Sequence, residues 1–169
     1  MEKIFAIADL KANTSTTTNP DVVIPNWILD SIIGLCALPG EWSGFLVCFN
    51  KIVQYPYISG SGGSGSVFPS KKIVFNDSPA YMAIEFHTHP SLLGEHWASR
   101  FSSGDLATFS NRLKQEGEQY KHILFTTTNI LTWGKGTAPD VRVGFGNDNT
   151  VVKTFNEWNK KYNSWGTAE

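Results

Sequence analysis

The sequence carries almost no net charge, very little cysteine and no long apolar run, and each absence removes a class of function. Its 14 Lys and Arg stand against 15 Asp and Glu, a formal net charge of −1 with neither sign gathered in a block. Binding a nucleic-acid backbone requires a basic patch or stripe, so nucleic acid is not an expected partner. The pairs Lys71 with Lys72 and Lys160 with Lys161 are short and read as solvated surface. Nothing approaches the roughly 20 consecutive apolar residues that span a bilayer, and the N-terminal segment lacks the apolar core of a secretory signal. A cytoplasmic location without membrane attachment is expected. The two cysteines, Cys36 and Cys48, sit in apolar surroundings without a Cys-x-x-Cys spacing, which predicts buried free thiols rather than a bridge or a metal knuckle.

What is present is enough for one core: 169 residues, 41% hydrophobic and 13% aromatic. A single domain over residues 1–169 is expected. Residues 3–9 have the composition of an edge or partly buried strand, and the Thr/Asn/Pro-rich residues 13–20 that of a loop. From Pro25 onward, Trp27, Ile28, Ile32 and Leu35 recur at helical spacing until Pro39 and Gly40 end the run. Residues 44–49 read as a buried strand and 51–58 as its hairpin partner, with Asn50 and Lys51 near the turn. Residues 67–75 and 81–86 add two strands. A helix is predicted over 102–117, then a hairpin (122–127 and 130–133), a strand at 141–145 and a closing helix at 150–162. This order predicts an α+β fold. Residues 59–66, SGSGGSGS, have the composition of a flexible coil. A natural glycine-rich loop and an engineered linker in place of one both account for it.

The chemistry concentrates in residues 85–105. In Glu85-Phe86-His87-Thr88-His89-Pro90 two imidazoles stand two residues apart at the end of an apolar strand, and the strand period of two turns both to one face. Such a pair supplies two ligands of a tetrahedral zinc site, and a catalytic site needs one more protein ligand and an open position. Ser102-Ser103-Gly104-Asp105 opens the next helix, with Asp105 in its first turn. Alone, Ser-x-x-Asp is capping chemistry, and a lone His-x-His pair suits packing as well as ligation. Together they bring three donors to one strand-to-helix junction. A water attacking an amide also needs a carboxylate to take its proton and pass it to the leaving amine. Glu41, just before the 44–49 strand, is the candidate, against the plainer reading of a solvated turn carboxylate. Glu85 shares the His87 face and is expected to support or pack. Trp97 and Trp133 are candidates for a substrate groove, although burial is the commoner role for either.

An upstream glutamate followed by His-Thr-His-Pro and then Ser-x-x-Asp resembles the JAMM, or MPN+, metalloproteases, over about residues 22–133. The resemblance implies a single MPN-like domain of cytidine-deaminase-like build, a mixed central sheet flanked by helices. It implies one Zn2+ per chain held by His87, His89 and Asp105, with Glu41 as general base and acid and a Ser102 hydroxyl that helps stabilise the tetrahedral oxyanion. The substrate it implies is a ubiquitin-like protein or its conjugate, cleaved after an extended C-terminal tail in deconjugation or precursor processing. The family also includes peptidases of phage tails and of bacterial defence and conjugation systems. This sequence departs from the pattern in the interval before Ser102, which residues 91–101 lengthen; His96, beside Glu95 and Trp97, is read as loop surface or substrate contact. Two other classes compete. A binding or scaffold module of the MPN type, working in a multiprotein complex, would not need the ligands and Glu41 that are all present here. A His-x-His hydrolase of phosphoesters or nucleobases usually needs further ligands for a second metal, and no matching cluster appears.

Overall fold

The structure, a computed structural model, describes residues 1–12, 19–62, 81–91 and 98–144. Among these, the elements run β1 (Glu2–Ala6), α1 (Ile7–Lys11), β2 (Val22–Ile24), α2 (Asn26–Cys36), β3 (Glu41–Phe49), β4 (Ile52–Gly62), β5 (Tyr81–Thr88), α3 (Ser103–Glu116), β6 (Lys121–Phe125), β7 (Asn129–Gly134) and β8 (Val141–Val143). The strands form one sheet in the order β1-β7-β6-β5-β3-β4-β2-β8. The pairs β5 with β6, β2 with β4 and β2 with β8 are parallel, and the others are antiparallel. A mixed sheet with few helices agrees with the predicted α+β class.

Strand alternation divides the core in two. Ile84 and Phe86 of β5 and Ile123 and Phe125 of β6 join Ile28, Leu29, Ile32 and Cys36 of α2. Leu124 of β6 and Leu131 of β7 turn the other way and pack with Phe109 of α3, Phe101 and Tyr120. Each large side chain buried in this way stabilises the fold by about 1.5–3 kcal/mol. The β3–β4 hairpin closes on Asn50 and Lys51, whose positive φ angles of 49° and 71° suit the twist of a two-residue turn. Cys36 and Cys48 are buried and unbridged, as predicted, and burial pushes the Cys36 thiol up to about 12.

Several boundaries differ from expectation. Residues 7–9, predicted as strand, belong to α1: Ile7 turns its N–H to the Thr128 carbonyl at 2.9 Å, and Ile7 and Leu10 bury one helical face. The three-residue β2 was hidden because so short a run has no periodicity, yet all three of its side chains are buried. β4 continues through residues 59–62, in the segment whose composition reads as coil, because strand pairing is a main-chain interaction and residues 41–43 of β3 supply the partner. The predicted strand at 67–75 and helix at 150–162 lie outside the described residues. Among those described, no helix is long and apolar enough to cross a membrane.

Candidate metal centre

Four residues singled out in the sequence converge. Glu41, His87, His89 and Asp105 each offer a donor atom, and these atoms lie within 4.8 Å of one another. Secondary structure brings them there by three routes. His87 is next to last in β5, where its backbone is paired with Ser43 of β3 on one side and Leu124 of β6 on the other. His89 is one residue past the strand, but its N–H donates to the Phe125 carbonyl at 3.1 Å, which prolongs the extended course and keeps both rings on the same side. Thr88 Oγ1 accepts from the Trp42 N–H at 3.1 Å, tying the end of β5 to the start of β3, where Glu41 stands.

β3 jogs between Ser43 and Gly44. A Cβ at Gly44 would lie 1.8 Å from the Tyr57 carbonyl oxygen, so the close approach of β4 at the jog requires glycine. Asp105 comes from α3. Its N–H donates to Ser102 Oγ at 3.0 Å, and its Oδ2 accepts from the Ser102 N–H at 2.9 Å, a reciprocal capping box. Capping and ligand geometry therefore coexist in one carboxylate.

The distances test whether a metal fits. His87 Nε2 and His89 Nε2 are 3.2 Å apart, His87 Nε2 and Asp105 Oδ1 3.3 Å, and His89 Nε2 and Asp105 Oδ2 3.2 Å. Ligands about 2.0–2.1 Å from a tetrahedral ion stand about 3.3–3.4 Å from each other, so the imidazole pair has a suitable separation, and each imidazole stands at a similar distance from one of the two Asp105 oxygens. Glu41 Oε1 is farther off, 3.8 Å from His87 Nε2 and 4.0 Å from His89 Nε2. That places it beside these three residues rather than among them. Glu41 Oε1, Trp42 Nε1, Ser43 Oγ and His89 Nδ1 are also buried without a hydrogen-bond partner among the described residues. Buried polar atoms are normally satisfied, and of these Glu41 Oε1 is the one that faces the imidazoles, 3.8–4.0 Å away, where a bound ion or its water could meet it. The group can hold a metal ion.

The electrostatics agree with a cation site. Burial lowers the His87 imidazole to about 4. Burial also works against the Asp105 carboxylate, but His87, His89 and the Ser102 N–H outweigh it and hold the group well below the usual carboxylate range. Glu41 is pushed up to about 7, chiefly by burial, with His89 opposing and Asp105 adding to the rise.

Sequence reasoning missed His122. Its Nε2 lies 2.6 Å from His87 Nδ1, and its Nδ1 lies 3.0 Å from Glu85 Oε1. The Tyr120 hydroxyl donates to the same Glu85 oxygen at 2.7 Å, and Arg112 Nε is 3.8 Å from Oε2. Burial would raise the Glu85 carboxyl, but His122, Tyr120 and Arg112 together lower it. Glu85 thus has the supporting place expected of it. Trp133, half-buried, packs 5.1 Å from Phe109 and 6.0 Å from Tyr120, centroid to centroid, on the α3 face. Glu95, His96 and Trp97 lie outside the described residues.

No protein-family model matches the chain, and no curated protein matches it.

Proposed function

We propose that the protein is a zinc peptidase of the JAMM/MPN+ type, with one zinc per chain, that cleaves after the C-terminal tail of a ubiquitin-like modifier. The observation that carries this reading is a pair of imidazole nitrogens 3.2 Å apart, each 3.2–3.3 Å from one oxygen of the Asp105 carboxylate, with a separate carboxylate 3.8–4.0 Å from the imidazoles. His87, His89 and Asp105 would hold the ion, and two imidazoles with one carboxylate are a donor set suited to zinc. A bound zinc supplies a Lewis acid and acidifies water. Glu41, outside this set, takes the proton of the attacking water and returns it to the leaving amine. Ser102 Oγ accepts from the Asp105 N–H, which leaves its own O–H to donate to the oxyanion that develops on the scissile carbonyl. The mixed sheet between α2 and α3 supports an MPN-like domain.

The test is to incubate the full chain with a panel of ubiquitin-like conjugates and linear fusions, with and without a chelator, and to read product masses. Cleavage at the end of a modifier tail, abolished by the chelator and restored by zinc, is expected. Stoichiometric zinc with no cleavage of any substrate would overturn the peptidase reading in favour of an MPN-type scaffold module.

A further inference from the structure

The two histidines of the metal centre are held differently. His89 Nδ1 has no hydrogen-bond partner among the described residues, whereas His87 Nδ1 faces His122 Nε2 at 2.6 Å. Behind His122 stands Glu85, which its Nδ1 meets at 3.0 Å, and behind Glu85 stand Tyr120 and Arg112. His87 and His122 are fully buried, and Glu85 nearly so. Buried polar chains of this kind are costly unless every member is satisfied, and here each has a directed partner.

The direction of the protons follows from the chemistry at the two ends. Ligation of an ion by His87 Nε2 needs a lone pair there, so the ring proton must sit on Nδ1 and be donated onward. The acceptor the structure puts at Nδ1 is His122 Nε2. His122 accepts at Nε2 only if its own ring proton is on Nδ1, and there Glu85 Oε1 receives it. Glu85 receives the Tyr120 hydroxyl on Oε1 at 2.7 Å and has the Arg112 guanidinium 3.8 Å from Oε2, the surroundings of a carboxylate, which accepts and does not donate. The carboxylate therefore sets the tautomer of His122, and His122 sets that of His87.

We infer that His122 and Glu85 are positioning residues of the metal centre, a two-step relay that commits His87 to the tautomer with its lone pair on Nε2. This rests on the metal-centre reading above. It assigns a role to a strand residue that touches neither ion nor substrate, and it makes the His87 side of the metal centre the preorganised one. Outer-shell partners of ligating histidines typically change metal affinity by about ten- to a hundredfold, so the relay is measurable apart from catalysis.

The experiment measures zinc affinity of the full chain by competition with a chromophoric chelator, for wild type, His122→Phe, His122→Gln and Glu85→Gln. His122→Phe keeps a ring against Phe109, 4.5 Å away between centroids, and removes the acceptor; zinc affinity is expected to fall about ten- to a hundredfold. His122→Gln returns a side-chain oxygen that can accept from His87, and is expected to recover most of the loss. A residue that merely fills space would show the reverse order, with the aromatic variant the better one. The histidine 15N shifts of metal-free wild type give a reading that needs no variant to fold: His87 is expected as the Nδ1–H tautomer, and a dominant Nε2–H form would overturn the relay. Wild type that binds zinc, with all three variants binding as tightly, sinks the relay and leaves the metal centre standing. Wild type that binds no zinc sinks both.

Discussion

Along β5, Ile84 and Phe86 turn into hydrocarbon against α2, while Glu85 and His87, each one residue away, turn into a polar layer beneath α3. Both faces are buried, yet they are built on opposite principles. The α2 face gains from every apolar atom removed from water. The α3 face places carboxylate and imidazole groups where each must find a partner or cost free energy, and it recovers part of that cost through Phe101, Phe109 and Leu131 around them. A face organised for stability alone would not carry that polar layer. The contrast assigns persistence of the fold to one side of the sheet and chemistry to the other.

Substitutions on the two faces should separate these roles. The largest effect is expected from His87→Ala, which removes a ligand: elemental analysis should find zinc lost, and cleavage should fall to background, with circular dichroism still reporting the sheet. Zinc retained at one per chain would break the assignment. On the opposite face, Phe86→Ala should cost about 3–5 kcal/mol of stability in chemical denaturation, while the folded fraction still binds zinc. Next comes Glu41→Gln, expected to lower turnover by at least about a hundredfold with zinc and fold intact; near-normal turnover would move the base elsewhere.

Smaller effects concern pH in the metal-free protein. The lowered His87 group contributes stability that is present above its ordinary value of 6.5 and is lost as pH falls through about 4. Glu41 has the opposite sense: raised from 4.5 to about 7, it contributes stability that is present in acid and is lost as pH rises through that value. Over the shared window the two slopes oppose each other, so wild type should change little. Glu41→Gln removes one slope and should expose the other, a loss on acidification of up to about 3 kcal/mol. Denaturation curves at several pH values decide this, and parallel profiles for the two proteins would contradict it. The smallest effect is expected from Ser102→Ala, which removes the helix cap at a cost of about 1 kcal/mol. Ser102→Thr should preserve both cap and hydroxyl, so a thermal melt and a rate measured on both variants separate capping from oxyanion stabilisation.

How much of this was legible in the sequence depends on whether the interaction is local. His87 and His89 announce themselves through strand period, and Asp105 through the cap that it forms with Ser102 three residues earlier. Glu41 is readable only against that background, since a lone glutamate before a strand has no signature. His122 carries no local signal at all. It meets Glu85 because β5 and β6 are parallel neighbours in a register that sets residues 85 and 122 side by side, and a parallel crossover leaves no trace in residue spacing. The same limit hid β2, which is defined by its partners β4 and β8 rather than by its three residues. The misread boundary at residues 7–9 is a tertiary override: apolar composition suits a strand, but the hydrogen bond of Ile7 to Thr128 turns the chain into a helix.

The capping box has a consequence for how such sites tolerate change. Asp105 is aimed by its own helix, through the cap it forms with Ser102 and through the Phe109 anchor one turn further on. Closing a flexible connection costs only about 0.6 kcal/mol for each doubling of its length, so residues added between the second histidine and the serine leave the ligand where it was. The position of the carboxylate is therefore read from the helix whose first turn it staples, and not from the number of residues that separate it from His89.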